Sequence, residues 1–303
     1  MKIVITGSLG NISKPLTKEL VQKGHSVIVI SSNPERQKDI EALGASAAIG
    51  SLEDAEFLSY TFSGADAVYC MTPLNLKVTD LVSYFKKISN NYAYAIQNAG
   101  IKKTISLSGW VAGITDTYKE IENIFNELPG VSVTYIRPGY FYSNFFESMN
   151  MIKEKSLIAA TFGEEDEIVL SAPSDIADVI VDEVTQTDHE KKVRYVASDE
   201  MTCSEAAKIL GTAIGKPHLK WVTITDNEML GQLEKFGLPP KTISDIIEMQ
   251  APIHKGLMPQ EFSRHKSEVV TGKVKLEDFA KEFAMIYNQK NKTDNENSIN
   301  NRS

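Results

Sequence analysis

The chain has 303 residues, a formal net charge of −8, and 42% hydrophobic and 24% charged residues. That is enough for a sizeable core and ordinary for a globular protein. With no clustered basic face, it argues against a nucleic-acid or anionic-membrane partner. Cys70 and Cys203 lie in an apolar strand and at a helix start, so no disulfide is expected. His25, His189, His218, His254 and His265 show no ligand spacing, so no metal is expected. The first strand begins at residue 2, which leaves no room for a signal peptide, and no apolar run approaches a membrane span. A cytoplasmic location is the expectation.

The chain opens on Ile3-Val4-Ile5, a β-branched run of the kind a buried parallel strand uses. Gly7 and Gly10 follow, then Ile12, Leu16 and Leu20 on one face of a helix that Gly24 closes. Strand, glycine turn and helix N-terminus together make an anion site for a phosphate. The spacing is Gly-x-x-Gly-x-x-Ser, with Ser13 where a small residue must let helix pack on strand.

Val27–Ile30 is the second strand. Asn33-Pro34-Glu35 then reads as an N-cap followed by proline at the first helical position. Ala47–Gly50 is a weak third strand, Asp54–Phe62 a helix, and Ala67–Met71 a fourth strand stopped by Pro73. A long helix runs from about Thr79 to Ala99, Thr104–Ser108 is the fifth strand, Tyr118–Leu128 a helix, and Val131–Ile136 the sixth strand. Alternating strands and helices predict a doubly wound parallel α/β sheet with right-handed crossovers. Ligands of such sheets bind beyond the carboxyl ends of the strands. One rim then carries Gly7, Leu9, Gly10, Asn11, Ile12, Ser31, Ser32, Asn33, Met71, Thr72, Pro73, Ser106, Pro138 and Tyr140.

The second half is less regular. Helices are predicted over Ser143–Lys155, Asp175–Thr185, Ser204–Gly215, Glu228–Phe236, Thr242–Met249 and Leu276–Tyr287, and short strands at Ile168–Leu170, Val193–Val196 and Leu219–Val222. The predicted division is a Rossmann domain over 1–145, its sheet completed by about 168–197. A smaller, mostly helical substrate domain takes 146–167 and 198–287. The polar tail 288–303 is predicted to be disordered.

Dinucleotide proteins that prefer NAD place an acid at the end of the second strand. Here Ser31-Ser32-Asn33 stands there, with Arg36 a turn later; all can donate hydrogen bonds to a 2′-phosphate. NADP(H) is therefore favoured over NAD(H).

Four stretches resemble the NmrA-like proteins, a branch of the atypical short-chain dehydrogenase/reductase superfamily. These are Thr6–Ser13; Gly64–Tyr69 with Met71-Thr72-Pro73; Tyr135–Asn144 around Arg137-Pro138-Gly139; and Ser174-Asp175-Ile176-Ala177. The resemblance covers roughly residues 1–287. It implies a Rossmann domain binding NAD(P)(H), a small C-terminal domain, and a cleft between them for a small electrophile such as a quinone. It also admits members that sense nicotinamide redox state without chemistry.

Typical short-chain dehydrogenases use Ser, Tyr and Lys, with the lysine one helical turn after the tyrosine to lower its pKa. Ser108 and Tyr118 are the candidate catalytic residues here, but Glu122 takes the lysine's place. A carboxylate there is expected to raise the tyrosine's pKa, and Lys119 points about 100° away. The aromatics after the sixth strand suggest a flat apolar pocket, with Trp110, Tyr142 and Asn144 as its candidate lining. Without the tyrosine–lysine pair, a sugar-nucleotide epimerase is the weaker reading. A reductase whose rate comes from positioning a quinone against the nicotinamide, and a regulator that binds the cofactor without turnover, remain the alternatives.

Overall fold

The computed structural model describes residues 1–112, 114–186 and 191–300; His189 and residues 301–303 lie outside them. Its organising element is an eight-stranded, all-parallel sheet. Seven strands follow the chain: β1 (Lys2–Ile5), β2 (Ser26–Ser31), β3 (Ser46–Ile49), β4 (Ala67–Cys70), β5 (Lys103–Leu107), β6 (Ser132–Pro138) and, after an interruption, β10 (Lys192–Ala197). The eighth, β13 (Val270–Thr271), arrives much later and takes the edge beside β10. The spatial order is β13-β10-β6-β5-β4-β1-β2-β3, so the winding direction reverses between β1 and β4. That switch point is where a doubly wound sheet opens a crevice.

Alternation along β1 explains the two layers. Ile3 and Ile5 face α1 (Ser13–Gln22) and α7 (Pro173–Thr185), packing with Leu16, Leu20, Ile176 and Ile180. Val4 faces the other way, into a core with Leu58 and Phe62 of α3 (Ala55–Phe62), Phe85 and Ile88 of α4 (Leu81–Asn98) and Phe125 of α5 (Asp116–Asn126). A strand whose successive side chains enter opposite cores is buried on both faces, as the β-branched run predicts. The short helix α2 (Gln37–Ala42) lies between β2 and β3.

The second lobe departs from the sequence reading in several places. Ile168–Leu170 falls in β9 (Glu167–Ser171), which pairs with β7 (Tyr140–Phe141) and β11 (Asp199–Thr202) in a separate three-stranded sheet. A further pair joins β8 (Leu157–Ala160) to β12 (Lys220–Thr223). The expected helix over 143–155 is a 3-10 segment, Tyr142–Ser148, running into α6 (Met149–Lys155). After α8 (Cys203–Ala213) and α9 (Asp226–Glu234), α10 (Pro240–His254) extends beyond Met249 through Pro252, and α11 (Leu257–His265) occupies a stretch with no predicted element. The last helix, α12 (Leu276–Asn300), continues into the segment whose composition predicts disorder. That stretch contains neither Gly nor Pro, so no residue in it obliges the backbone to stop. An aromatic core of Tyr142, Phe145, Trp221, Phe279 and Phe283 holds this lobe together.

Candidate cofactor and substrate site

The glycine loop is built from the strand it leaves. The Thr6 N–H donates to Tyr69 O at 3.1 Å, and its Oγ1 accepts the Met71 N–H at 2.8 Å, tying β1 to the exit of β4. Gly7 then adopts φ +88° and Ser8 φ +52°. A Cβ at Gly7 would stand 2.8 Å from Ser13 Oγ and 2.9 Å from the Met71 side chain. Ser13 is buried and donates to Thr6 O at 2.9 Å, so the third motif position packs helix onto strand as its small size predicts. Pro15 lies in the first turn of α1, where its missing N–H does least harm.

The helix start fits a phosphate. The N-cap of α1 is Ile12, with no side-chain cap bond and no acid in the first turn. By contrast α3, α4, α8 and α9 are capped by Asp54, Asp80, Thr202 and Thr225. The positive end of α1 thus lacks the side-chain partner those four have, as do the starts of α2, α5, α6, α7, α10 and α11; what sets α1 apart is the glycine loop that precedes it, where a pyrophosphate can approach the free N–H groups. Gly10 and Asn11 are exposed beside it, Leu9 is half-buried, and Ile12 is buried.

At the end of β2, Ser31 is buried and engaged internally: its Oγ accepts the Ser8 hydroxyl at 2.9 Å and the Asn33 N–H at 3.2 Å. Asn33 accepts the Glu35 N–H at 3.0 Å and caps a 3-10 turn. Ser32 and Arg36 are exposed, with Arg36 paired to Asp39 at 3.3 Å.

Beyond β4, β5 and β6 lies a cavity of about 330 Å³. Met71, which touches the Gly7 position, also lines it, so loop and cavity are adjacent. Thr72, Ser108, Trp110, Tyr118, Pro138, Tyr140 and Asn144 all line it; Pro73 does not. Ser106 is buried within β5 and is likewise absent from the wall. Tyr142 is displaced outright. It is fully buried in the aromatic core, donating to Asp199 Oδ2 at 2.5 Å and to Val274 O at 3.2 Å, because β7 ends one residue earlier and the 3-10 segment turns the ring inward. Trp110 serves both purposes: it lines the cavity and is anchored between Tyr195 and Phe262, with ring centroids 5.0 and 5.7 Å away. Sequence reasoning missed Glu147, one turn beyond Asn144, and the wall from α10 and α11, including Met249, Ile253 and Met258.

Tyr118 is half-buried, with its ring pressed against Gly109, where a Cβ would come within 2.7 Å. Burial pushes its phenol up. The expected cause was Glu122, but that carboxylate is otherwise engaged. It accepts the Ser108 hydroxyl at 2.6 Å and takes one edge of the Arg137 guanidinium with both oxygens, Nε at 2.9 Å on Oε1 and Nη2 at 2.6 Å on Oε2. Arg137 in turn donates to the Tyr195 hydroxyl at 2.9 Å. With the Ser108 proton given to Glu122, its oxygen offers the cavity lone pairs. Tyr140 is bonded to the Asn144 side chain, and burial raises its phenol too. Both cavity phenols therefore hold their protons at neutral pH. They can donate a hydrogen bond or a proton, and neither is a base.

The NmrA-like family model matches residues 1–280. An NAD(P)H azoreductase of Xenophilus azovorans is 24% identical over 256 residues, 82% of this chain and 86% of that protein. The NADPH-dependent quinone oxidoreductase of Escherichia coli, solved with NADPH, superposes with TM-score 0.76 at 19% identity, covering 92% of this chain and 99% of that one. Triphenylmethane reductase of Citrobacter sp. gives 0.74 at 19% identity, covering 94% and 100%. No helix among the described residues is long and apolar enough to cross a membrane.

Proposed function

Because the chain belongs to the NmrA-like family, we propose that it is an NAD(P)H-dependent reductase that transfers hydride to a quinone or a similar small electrophile. The observation that carries this reading is the aromatic cavity opening beside the glycine loop, with Met71 common to both. The uncapped N-terminus of α1 takes the pyrophosphate, and the cofactor supplies the hydride when bound. The chain's own residues bind, orient and exclude water: the apolar walls from Leu107, Ile121, Met249 and Ile253 hold the acceptor flat. Tyr118 and Tyr140, both protonated, are the donors within reach for an acceptor that needs a proton. Names of similar proteins support this class: a curated relative is an NAD(P)H azoreductase and a structural neighbour reduces quinones.

NADPH is the favoured cofactor, since β2 ends on Ser31-Ser32-Asn33 without an acid and Arg36 is exposed one turn later. Side-by-side titration of NADPH and NADH tests this; tighter NADH binding would sink it.

A nicotinamide-binding regulator is the second reading, and Glu122 favours it, since the ion pair with Arg137 removes the means of activating a tyrosine. One assay separates the two. Purified protein with NADPH and a quinone panel consumes NADPH if it is a reductase. Binding without consumption makes it a regulator.

A further inference from the structure

Trp110 has a hydrogen bond left to give. Its side chain is 2% exposed, it lines the cavity, and its indole N–H meets no acceptor among the described residues. The chain's other tryptophan shows the ordinary arrangement: Trp221 is also buried, and its Nε1 donates to Phe162 O at 2.8 Å. Buried N–H groups are paired in nearly all folded proteins, and one left unpaired costs stability. A hydroxyl can swivel to find a partner, but an indole N–H has one direction, fixed by its ring. That ring is held in place. Tyr195 and Phe262 flank it at 5.0 and 5.7 Å. Tyr195 is itself held by Arg137 at 2.9 Å and stacked on His265 at 4.4 Å.

The rest of the wall gives this N–H its use. Among the described residues no Lys, Arg or His lines the cavity, so no side-chain cation is there to polarise a bound oxygen. Tyr140 already bonds the Asn144 side chain, and the Ser108 hydroxyl proton is committed to Glu122. Met71, Leu107, Ile121, Met249 and Ile253 make much of the remaining surface apolar. In such surroundings a fixed dipole acts more strongly than it does in water.

We propose that the Trp110 N–H is a catalytic hydrogen-bond donor: it holds a carbonyl oxygen of the acceptor and stabilises the negative charge that oxygen gains as hydride arrives. This rests on the reductase reading and adds a residue to it. Hydride from the reduced nicotinamide forms one C–H bond on the acceptor and leaves the cofactor oxidised. The π pair displaced by that bond moves onto the carbonyl oxygen, which takes its proton from Tyr118 or Tyr140. Trp110 keeps its own proton throughout. A donor set in place beforehand needs no reorganisation when the charge develops. A ligand of the same shape without the carbonyl leaves the N–H unpaired and gains nothing from it.

With two tryptophans in the chain, isotope labelling of tryptophan makes both indole N–H groups visible by NMR in the wild-type protein, and Trp110→Phe assigns them. Menadione added with NADP⁺ should move the Trp110 proton downfield and leave Trp221 in place. 2-Methylnaphthalene, the same ring system without carbonyls, should not. Replacing Trp110 by 3-benzothienylalanine puts sulfur where the N–H stands and keeps the ring's shape, and a melting curve confirms the fold. This isostere should bind menadione about three- to tenfold more weakly, with 2-methylnaphthalene and NADPH within about twofold of wild type. Its kcat with menadione should fall about a hundredfold, because the bond strengthens as the oxygen becomes charged. A Trp110 resonance unmoved by menadione, or equal losses for the two naphthalenes, overturns the proposal. A shift with NADP⁺ alone that menadione does not add to assigns the N–H to the nicotinamide carboxamide and also overturns it. If the isostere reduces menadione at the wild-type rate, this inference alone fails. If menadione moves the resonance but NADPH is never consumed, the reductase reading fails and takes the catalytic role with it.

Discussion

Glu122 grips Arg137 through both carboxylate oxygens, at 2.9 and 2.6 Å, and turns away from Tyr118 one helical turn before it. The side chains are 10% and 15% exposed, so the pair is largely withdrawn from water. A residue that looks like a failed catalytic lysine is therefore a structural anion that ties α5 to β6 and holds the Ser108 hydroxyl.

Removing one partner should cost more than removing both charges. Arg137→Ala leaves a carboxylate buried and uncompensated and should destabilise the fold by about 3–5 kcal/mol. The double change Glu122→Leu with Arg137→Met removes both charges, leaves neither uncompensated, and should cost less, about 1–2 kcal/mol. Urea denaturation of both variants measures the difference, and equal costs would contradict the account. Glu122→Lys, which restores the usual catalytic residue type, should fail to raise turnover because it sets a cation against Arg137.

The glycine loop predicts a paired experiment. Gly7→Ala places a Cβ 2.8 Å from Ser13 Oγ at φ +88°, whereas Gly24→Ala meets nothing within 4 Å at a similar φ of +82°. Both pay for left-handed backbone, about 1 kcal/mol. Only Gly7→Ala should also push Ser13 and Met71 aside and weaken NADPH binding about tenfold or more, as the proposed role of the loop in holding the phosphates requires. Fluorescence titration of NADPH distinguishes them.

Tyr118 fixes the shape of the pH profile. Its phenol is raised by burial, so the protonated form persists at and above the pH at which a free tyrosine begins to ionise. A group that must donate loses activity only as pH climbs past that raised value. Acceptor reduction should therefore show no rising limb from tyrosinate formation between about pH 6.5 and 9. Oxidation of an alcohol by NADP⁺, which needs a base, should be barely measurable. A rising limb that disappears in Tyr118→Phe would overturn this.

Asp245 joins the cavity's far wall to the Rossmann domain. It is buried on α10, accepts the Leu81 N–H at 3.0 Å and is paired with Lys241. Asp245→Ala orphans a buried N–H and should cost about 1–3 kcal/mol. Since it loosens α10 and leaves the glycine loop intact, KM for the acceptor should rise several-fold while NADPH affinity holds. A parallel loss of both would show that the wall and the loop are one unit.

The parts of the molecule legible in the sequence are those whose signals are local. Ile3-Val4-Ile5 followed by Gly7 declares a buried strand and a tight turn, and Ser13 declares its packing role by size alone. The order of strands and helices through β6 follows from the same short-range patterns. Glu122 was visible, but its partner lies 15 residues away on another element, and no periodicity relates the two. Tyr142 was misplaced because one residue of backbone twist after β7 decides which side of the segment it faces. Met249, Ile253 and Met258 reach the cavity from more than 100 residues beyond it, by tertiary contact that leaves no trace in spacing.

The edge strand β13 consists of two residues, Val270 and Thr271, laid against Val196 and Ala197. The Asp175 carboxylate accepts the Val274 N–H at 3.1 Å, and its Oδ2 would stand 2.1 Å from a Cβ at Gly272, so only glycine lets the segment come this close. During synthesis the chain through β10 emerges more than 70 residues before that cover exists. Until then β10 is an open hydrogen-bonding edge, a template for self-association. The last strand to arrive thus covers the Val196–Ala197 end of β10, and yields of folded protein should depend on it more than its length suggests.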